Sequence, residues 1–372
     1  MPAPDQHHRS KILFIDDEPS KMSACIELLG VRHDVKVLDE PLELERALEW
    51  HPDVAVVDVK MPKRNGLDCA DIISETDPEC IIILVTAFAQ FADRAITEGL
   101  KSGIYFFLKQ PFSPAVLDAI VDRGLETRRL RLQAKSDISR AVRVQRLLRP
   151  QPLTTTDHMK ISTAQRGAAD LCGDAVDVVV LDNSVYCMIA DVMGHGTSAA
   201  LFTTMLHMVF RSTLLKGGDL SEAARGLAQV APMLPDGMFV TCCMLDLDVN
   251  FSNLKYISFG HTPGYLLGEG SASPLPTQLE LLHNGFAARL TIHEQPLDDV
   301  DAILLVTDGL TESRDRLGES LLPEGVVSLC QSVLGERQRE NTAEALVERV
   351  FVRSGNGIDD DCTAVLIERT SP

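Results

Sequence analysis

The stretch GDAVDVVVLDNSVYCMIADVMGHG, residues 173–196, predicts a β-hairpin, because two runs rich in Val, Ile and Tyr flank an Asp-Asn-Ser turn. In an antiparallel hairpin the start of the first strand lies beside the end of the second, so Asp174 and Asp191 are expected to meet at one open end. Two carboxylates in such a position repel each other and raise each other's pKa unless a cation lies between them. The hairpin therefore predicts a metal site at that end.

A second pair of acidic segments follows later in the chain. An apolar run, residues 302–307, leads into Asp308, and an acidic triplet that includes Asp360 leads into the apolar run 363–367. If these two runs are antiparallel neighbours, Asp308 and Asp360 share one sheet edge. Any single Asp-Gly or Asp-Asn pair is also ordinary turn chemistry. Four converging carboxylates, however, make an all-oxygen site that suits two Mg²⁺ or Mn²⁺ ions.

The whole chain has the composition of a globular protein with more than one domain. It contains 372 residues, of which 45% are hydrophobic and 24% charged, and this length suits two domains. The apolar runs are shorter than the ~20 residues that span a bilayer, and residues 1–9 have no signal-peptide core and are expected to be disordered. Nine cysteines without CxxC spacing favour a reducing compartment. We therefore expect a cytoplasmic protein that does not insert into a membrane.

A basic segment, residues 124–152, is predicted to connect two acidic domains. The net charge of −19 argues against nucleic acid as a partner, but residues 124–152 carry eight basic and only two acidic residues. Apolar or small residues and one glutamine recur in this segment at spacings of four and three, which is typical of a short coiled-coil seam; they are Ala134, Ile138, Ala141, Gln145 and Leu148. The helix either lies on its own domain or forms a parallel homodimer that carries a signal, and the pattern is too short to decide.

Residues 10–123 alternate between strand-like and helix-like segments, which predicts an α/β domain with a doubly wound parallel sheet. Functional groups of such sheets lie beyond the carboxyl ends of the strands. Asp16, Asp17 and Asp58 follow or end predicted strands and suit a Mg²⁺ ion. A cation at this site would shield the carboxylate of Asp58 as it attacks a phosphoryl donor. Thr86 ends the next strand, where its hydroxyl could hydrogen-bond the phosphoryl oxygens.

These positions resemble a response-regulator receiver domain, which has a flavodoxin-like fold. The matching residues are Asp16-Asp17, Asp58 with Met61-Pro62 and Gly66, Thr86-Ala87, and the region of Lys109 and Pro111-Phe112. The resemblance implies that Asp58 accepts phosphate from a histidine kinase or phosphotransfer protein, and that Thr86, Lys109 and an aromatic residue, Phe107, form the switch.

The receiver pattern departs from the family at one point. The family has Lys directly before Pro, whereas this chain has Lys109-Gln110-Pro111. An ungapped comparison puts Gln110 at the lysine position. A shift of one residue would turn Lys109 to the other face of its strand unless a bulge redirects it. The sequence therefore leaves open which of the two residues lies at the phosphoryl group.

Residues 153–372 resemble the PPM family of metal-dependent serine/threonine phosphatases, of the SpoIIE type (protein phosphatase 2C-like). The matching pieces are Gly173-Asp174, the run from Asp191 to Gly196, Gly260-His261-Thr262-Pro263, the run from Thr307 to Glu312, and Asp360-Asp361-Cys362-Thr363. The resemblance implies an α+β domain in which helices flank two packed antiparallel sheets. Residues 141–150 also resemble the helix that enters such domains.

The same resemblance implies roles for individual residues. Asp191 bridges two Mn²⁺ or Mg²⁺ ions, Asp308 and Asp360 complete the first, and the Val192 carbonyl and Asp174 serve the second directly or through water. Water activated by the metals is the expected nucleophile. The chain departs from the family pattern at three places, and none of them removes one of these carboxylates. Cys172 stands where the family usually has a glycine, Ala175-Val176 where it has an aromatic pair, and residues 285–289 where it has a Gly-x-Pro-Leu-Gly loop.

The domain order predicts a two-component output protein in which phosphorylation of Asp58 controls the phosphatase. The family resemblance implies a phosphorylated anti-sigma-factor antagonist, a small STAS-domain protein, as the substrate. The alternative is a non-catalytic adaptor that binds a partner through a degenerate phosphatase fold when Asp58 is phosphorylated.

Overall fold

The computed structural model describes residues 9–87, 103–194, 196–286, 290–336 and 340–370. The chain forms two compact units, residues 1–137 and 138–372. The segment predicted to be disordered, residues 1–9, falls outside the described residues except for Arg9. Within the described part of the chain, no helix is both long and apolar enough to cross a membrane.

The first unit contains a parallel five-stranded sheet in the order β2-β1-β3-β4-β5. Its strands are β1 (Lys11–Ile15), β2 (Asp34–Leu38), β3 (Val54–Asp58), β4 (Ile81–Thr86) and β5 (Ile104–Lys109). Its described helices are α1 (Ser23–Gly30), α2 (Leu44–Leu48), α3 (Gly66–Thr76) and the first part of α4 (Pro114–Leu148), with 3₁₀ turns at Pro19–Met22 and Pro41–Glu43.

Apolar side chains of the central strands alternate between the two faces of this sheet, and each face has its own buried cluster. The doubly wound α/β fold is therefore confirmed. The edge strand β2 was not predicted, because Leu38 is its only fully buried residue and the apolar signal of the strand is weak.

The second unit contains two antiparallel six-stranded sheets. The first sheet has the order β15-β11-β10-β9-β8 with β14 paired to β10, and it consists of β8 (Asp174–Val180), β9 (Ser184–Val192), β10 (Phe239–Asp248), β11 (Asn253–Phe259), β14 (Leu282–His283) and β15 (His293–Pro296). The second has the order β13-β12-β16-β17-β7-β6, and it consists of β6 (Leu153–Thr155), β7 (Met159–Arg166), β12 (Tyr265–Gly268), β13 (Ser271–Pro274), β16 (Ala302–Val306) and β17 (Cys362–Arg369).

Helices cover the outer face of each sheet. They are α5 (Thr197–Leu215), α6 (Leu220–Val230), α7 (Asp308–Thr311), α8 (Leu322–Leu334) and α9 (Thr342–Arg353), with a 3₁₀ turn at Ala231–Met233. One buried cluster joins the facing sides of the two sheets, for example Cys187 and Leu245 to Ile303 and Val365. A second packs the first sheet against α5 and α6, and a third packs the second sheet against α8 and α9. The predicted pair of packed antiparallel sheets flanked by helices is confirmed.

Helix α4 is 35 residues long and contains the boundary between the two units, Asp137 and Ile138. It begins ten residues before the predicted connector and ends at Leu148, ahead of Pro150 and Pro152. Gln145, one of the residues at the spacing of a coiled-coil seam, is 7% exposed and hydrogen-bonded to Cys172 within the second unit. At this turn the helix lies on its own domain, because a buried amide is not available to a dimer seam. A homodimer through the rest of the helix stays a prediction.

A buried ionic contact holds helix α5 against the first sheet of the second unit. Asp177 of β8 is fully buried and accepts hydrogen bonds from Arg211 Nε at 2.7 Å and Nη2 at 2.7 Å. His207 is also buried, and its Nδ1 lies 3.0 Å from the same carboxylate. Removal of a charge from a buried pair leaves its partner uncompensated.

We expect Asp177→Asn to lower the free energy of unfolding of the second unit by about 2–3 kcal/mol, less than for a fully buried pair because Arg211 is partly exposed to solvent. Asp182→Asn, in the exposed turn of the same hairpin, is the matched control and should cost less than about 0.5 kcal/mol. Urea unfolding of the full chain measures this by circular dichroism. The single Trp50 lies in the first unit, so its fluorescence identifies that unit's transition. Equal midpoints for the two variants would contradict the expectation.

Candidate active site and receiver pocket

The two acids of the opening hairpin lie opposite each other. Asp174 begins β8, Asp191 is the penultimate residue of β9, and the two are register partners in the antiparallel pair. The juxtaposition predicted from the sequence is confirmed. It follows from local geometry alone, since the hairpin turn fixes the register of its strands.

The second acidic pair comes together in the other sheet. Strands β16 and β17 are antiparallel neighbours, and Val306 pairs with Ala364 near the edge. Asp308 begins α7 just after β16, and Asp360 lies two residues before β17. Asp308 and Asp360 line one open cleft together with Asp191. The two sheets therefore contribute acids to the same cleft.

Burial and mutual repulsion make the cleft costly without a cation. Burial, and then the charges of Asp308, Asp360 and Asp361, raise the pKa of Asp191 to about 7. Burial and the charge of Asp360 raise the pKa of Asp308. A divalent ion relieves both effects, because it replaces lost solvation and opposes the carboxylate charge. The all-oxygen donor set is the one that Mg²⁺ and Mn²⁺ prefer, so these residues fit the implied metals.

Asp174 lies behind the cleft rather than in its wall. It is 4% exposed, and its Oδ2 accepts hydrogen bonds from the hydroxyls of Thr307 at 2.9 Å and Thr363 at 2.6 Å. Burial and the charge of Asp191 raise its pKa well above the usual range. Val192 is fully buried, and its N–H donates to the Gly173 carbonyl at 3.1 Å. The roles of Asp174 and Val192 as metal ligands stay predictions.

Asp361 is a site residue for which the sequence predicts no role. It is 5% exposed, lines the cleft, and accepts hydrogen bonds from the backbone N–H groups of Ala168 at 2.8 Å and Gly173 at 2.5 Å. It therefore ties the segment before Asp174 to the turn that carries Asp360. The acidic triplet 359–361 was a signal for this position, but only the fold shows which of its side chains faces inward.

Gly309 marks a close approach of two backbone segments in the same place. A Cβ on Gly309 would lie 2.0 Å from the carbonyl oxygen of Asp361. The Asp-Gly pair at 308–309 thus has a packing reason besides turn chemistry, since any side chain would separate Asp308 from the 360–361 turn.

In the first unit, Asp16, Asp17 and Asp58 form a compact acidic cluster. One carboxylate oxygen from each lies within 4.8 Å of the others, and among the residues that the structure describes no other acidic group is so tightly clustered. Burial, followed by the charges of Asp16 and Asp17, raises the pKa of Asp58 to about 6. A single Mg²⁺ fits this donor set. Among the described residues, the acids of the second unit do not form a group of three as tight as this one.

The structure places Gln110, not Lys109, in the wall of the receiver pocket. Gln110 lines the pocket together with Asp58, and Lys21 is also part of its lining. Lys109 pairs with Thr86 at the ends of β5 and β4 and is exposed. A register irregularity does occur between these strands, but it lies near their start, at Ile82 and Ile83.

The structure also shows where the other two predicted switch residues, Thr86 and Phe107, lie. Thr86 is 3% exposed at the end of β4, and its backbone carbonyl accepts a hydrogen bond from the backbone N–H of Gln110 at 2.8 Å. Phe107 is half-buried and packs against the core cluster on one sheet face, whereas its neighbour Phe106 is 43% exposed. Their roles in switching stay predictions, as does that of Lys109.

Two of the three departures from the phosphatase pattern can be located. Cys172 is buried beside the cleft, and Ala175 and Val176 point into the two cores on either side of the first sheet. All three side chains are buried, and the acidic residues of the cleft are in place beside them. The third departure falls on residues 285–289, and 287–289 lie outside the described residues.

Family models match both units. The model for stage II sporulation protein E (SpoIIE) matches residues 182–370, about half of the chain, and the model for the response regulator receiver domain matches residues 12–122. The chain belongs to the SpoIIE family. Its first unit is a response regulator receiver domain, and the SpoIIE match contains the acids at 191, 308 and 360.

Two relatives are a phosphatase and a transcriptional regulatory protein. The chain is 25% identical over 252 residues to the phosphoserine phosphatase RsbU of Bacillus subtilis, covering 65% of this chain and 72% of RsbU. Over 134 residues, 34% of the chain, it is 33% identical to the C4-dicarboxylate transport transcriptional regulatory protein DctD of Pseudomonas aeruginosa, and it spans 28% of that protein.

A solved structure agrees with the fold of the second unit. The crystal structure of the RsbU and RsbW domains of Rv1364c from Mycobacterium tuberculosis is similar with a TM-score of 0.51 and 25% identity, covering 58% of this chain and 61% of the other. The SpoIIE family member described here thus combines a receiver domain with a phosphatase-like domain.

Proposed function

We propose that the SpoIIE-type unit is a metal-dependent protein serine/threonine phosphatase and that phosphorylation of Asp58 in the receiver domain controls it. The convergence of Asp191, Asp308 and Asp360 on one cleft carries this proposal. The name of the relative RsbU, a phosphoserine phosphatase, supports the reaction class. The adaptor alternative has no comparable support, because these carboxylates are all present and face the same cleft.

In this proposal Asp191, Asp308 and Asp360 would hold two Mn²⁺ or Mg²⁺ ions. Bound there, the ions would supply Lewis acidity and charge neutralisation for phosphoester hydrolysis. The residues of the chain hold the geometry: β9 pairs Asp191 with Thr241 of β10, and Gly309 lets Asp308 approach the 360–361 turn. Preorganised carboxylates avoid the cost of reorganisation during the reaction.

Thr241 lines the cleft and is oriented by a buried histidine. Its hydroxyl lies 2.7 Å from Nδ1 of His261, which is 3% exposed. Burial lowers the pKa of His261 to about 4, so the ring is neutral at pH 7. A neutral imidazole orients Thr241 without adding a positive charge that would compete with the metal ions.

For the receiver domain we propose that Asp16, Asp17 and Asp58 bind one Mg²⁺ and that Asp58 accepts phosphate from a histidine kinase or a phosphotransfer protein. For the phosphatase we propose a phosphorylated anti-sigma-factor antagonist as the substrate. The relatedness to RsbU and to a structure that contains RsbU and RsbW domains supports that choice. We place the protein in the cytoplasm, where such kinases and antagonists meet.

Release of phosphate from a phosphoserine protein by the full chain tests the proposal. We expect hydrolysis that requires Mn²⁺ or Mg²⁺, stops with a chelator and is lost in Asp308→Asn. Beryllofluoride, which mimics phospho-Asp58, should change the rate, and the direction of the change gives the sign of regulation. Equal inactivity of the native chain and Asp308→Asn in every condition would refute the phosphatase and leave the adaptor.

A further inference from the structure

Within the second unit, the amide of Gln145 forms two hydrogen bonds with one residue, Cys172. Its Nε2 donates to the carbonyl of Cys172 at 2.6 Å, and its Oε1 accepts from the N–H of the same residue at 3.1 Å. Nε2 also lies 3.3 Å from the hydroxyl of Thr203 in α5. At 7% exposure, Gln145 has its hydrogen-bonding groups paired inside the protein. A buried amide with three partners fixes the backbone that it holds.

The backbone held in this way leads directly to the cleft. Gly173 follows Cys172, and its N–H donates to Asp361 Oδ2 at 2.5 Å while its carbonyl accepts from Val192 N–H at 3.1 Å. Asp174 comes next and begins β8. One residue of α4 is therefore connected, through two backbone positions, to Asp361 in the cleft wall and to the end of the strand that carries Asp191.

The packing around Gly173 leaves little room for adjustment. A Cβ at this position would lie 2.8 Å from the carbonyl oxygen of Gly194 and 3.0 Å from that of Val192. A displacement of the Cys172 backbone would push Gly173 against the end of β9, because closely packed segments transmit small shifts rather than absorb them. The pair of hydrogen bonds between Gln145 and Cys172, the clamp, thus helps to hold the acidic site in place.

A second residue of the same chain segment lies near these acids. Arg149, four residues after Gln145, is partly buried, and its Nε has no hydrogen-bond partner within the described residues. Burial lowers the pKa of Arg149, and the nearby carboxylates of Asp361 and Asp174 oppose that effect. The end of the connector therefore brings both an amide and a positive charge to the back of the cleft.

We propose that Gln145 is a positioning residue for the metal-binding acids, and that helix α4 sets the divalent-cation affinity of the cleft through its clamp on Cys172. This inference rests on the proposed phosphatase function. The clamp lies within the second unit, to which both Gln145 and Cys172 belong. Loss of the groups that orient metal ligands weakens metal binding by about 10- to 100-fold in other proteins.

Gln145→Glu tests this with almost no change in shape. The carboxylate keeps an acceptor for the N–H of Cys172 but loses the donor to its carbonyl. Gln145→Met is a second variant that keeps the volume without charge or hydrogen bonds. Gln133→Glu is the matched control, because it makes the same change at an exposed position of the same helix. All chains should carry Asp58→Asn, so that the receiver cluster does not contribute to the signal.

Electron paramagnetic resonance of free Mn²⁺ measures the dissociation constant without reference to activity. We expect both Gln145 variants to raise it by about 10- to 100-fold, with Gln133→Glu unchanged. Saturating Mn²⁺ should restore kcat without a change in KM for the phosphoprotein, which a merely destabilising substitution would not do. Thermal unfolding shows that the variants are folded.

The outcomes separate this inference from the proposed function. An Mn²⁺ affinity within twofold of the control for both folded variants overturns the role of Gln145. If Asp308→Asn also binds Mn²⁺ as tightly as the control, the acidic cleft itself is not the metal site, and the proposed phosphatase mechanism fails first. If the Gln145 variants raise the Mn²⁺ dissociation constant and Asp308→Asn abolishes Mn²⁺ binding, the result supports both the role of Gln145 and the proposed function.

Discussion

Replacement of Asp191 by Asn is expected to lower the Mn²⁺-dependent rate of phosphoserine hydrolysis by roughly a thousandfold or more, which corresponds to ~4 kcal/mol of transition-state stabilisation. Asp191 is the register partner of Asp174, and three other carboxylates contribute to its raised pKa. It is therefore the acid nearest the centre of the set. Asparagine keeps the size of the side chain but removes the charge that a divalent ion needs.

The effect can be separated from misfolding. Without divalent ions, Asp191→Asn should unfold at the same or a higher urea concentration than the native chain, because it removes a partly buried negative charge from a repulsive cluster. Asp182→Asn, at the exposed turn of the same hairpin, should keep full activity. Phosphate release from a phosphoserine protein measures both rates. Comparable activity in Asp191→Asn and Asp182→Asn would show that the cleft is not the catalytic site.

Asp58→Asn is expected to abolish regulation while leaving the basal phosphatase rate in place. Asp58 ends β3 in the receiver pocket, and Asp16 and Asp17 lie close enough to share one Mg²⁺ with it. Coupling between two sites of one protein is typically 1–3 kcal/mol, so phosphorylation should change the native rate by about 5- to 150-fold in one direction. In Asp58→Asn the same treatment should change nothing, because the phosphoryl acceptor is absent.

Acetyl phosphate labelling followed by the phosphatase assay measures both halves of this expectation. The control is Asp68→Asn, an exposed acid in the first turn of α3, which should be labelled and regulated like the native chain. Labelling that persists in Asp58→Asn would place the phosphoryl group on another residue. Full labelling of the native chain without any change of rate would remove the regulatory link and leave the phosphatase proposal untouched.

Local sequence patterns were sufficient for the parts of the site that depend on strand direction. The hairpin at 173–196 placed Asp174 beside Asp191, since two antiparallel strands joined by a short turn have only one register that buries their apolar faces. Asp16 and Asp58 were grouped because parallel strands end at one edge of their sheet. The domain boundaries 10–123, 124–152 and 153–372 stay predictions, although the family matches at 12–122 and 182–370 lie within the two outer segments.

Contacts between distant segments were decided only by the tertiary structure. The sequence left open whether Gln145 lies in a coiled-coil seam or on its own domain, and the fold buries it against Cys172, 27 residues away. Asp361 receives its hydrogen bonds from positions 193 and 188 residues earlier, and the hydroxyl that holds Asp174 closest comes from Thr363, 189 residues later. Periodicity reports which face of an element is apolar, but it carries no information about which distant backbone group will satisfy a buried polar side chain.

The choice between Gln110 and Lys109 has the same origin. Both residues follow or end the same predicted strand, and the sequence alone permits either in the receiver pocket. Pairing of β5 with β4 places Lys109 opposite Thr86 with the lysine exposed to solvent, and Gln110 lies in the pocket wall. The sequence by itself determined the fold of the first domain and the acids at the strand ends of both domains, because these follow from short-range pattern, whereas the fold of the second domain was implied by its resemblance to the PPM family. The tertiary structure alone decided which polar groups are buried beside those acids, because that depends on how whole sheets and helices pack.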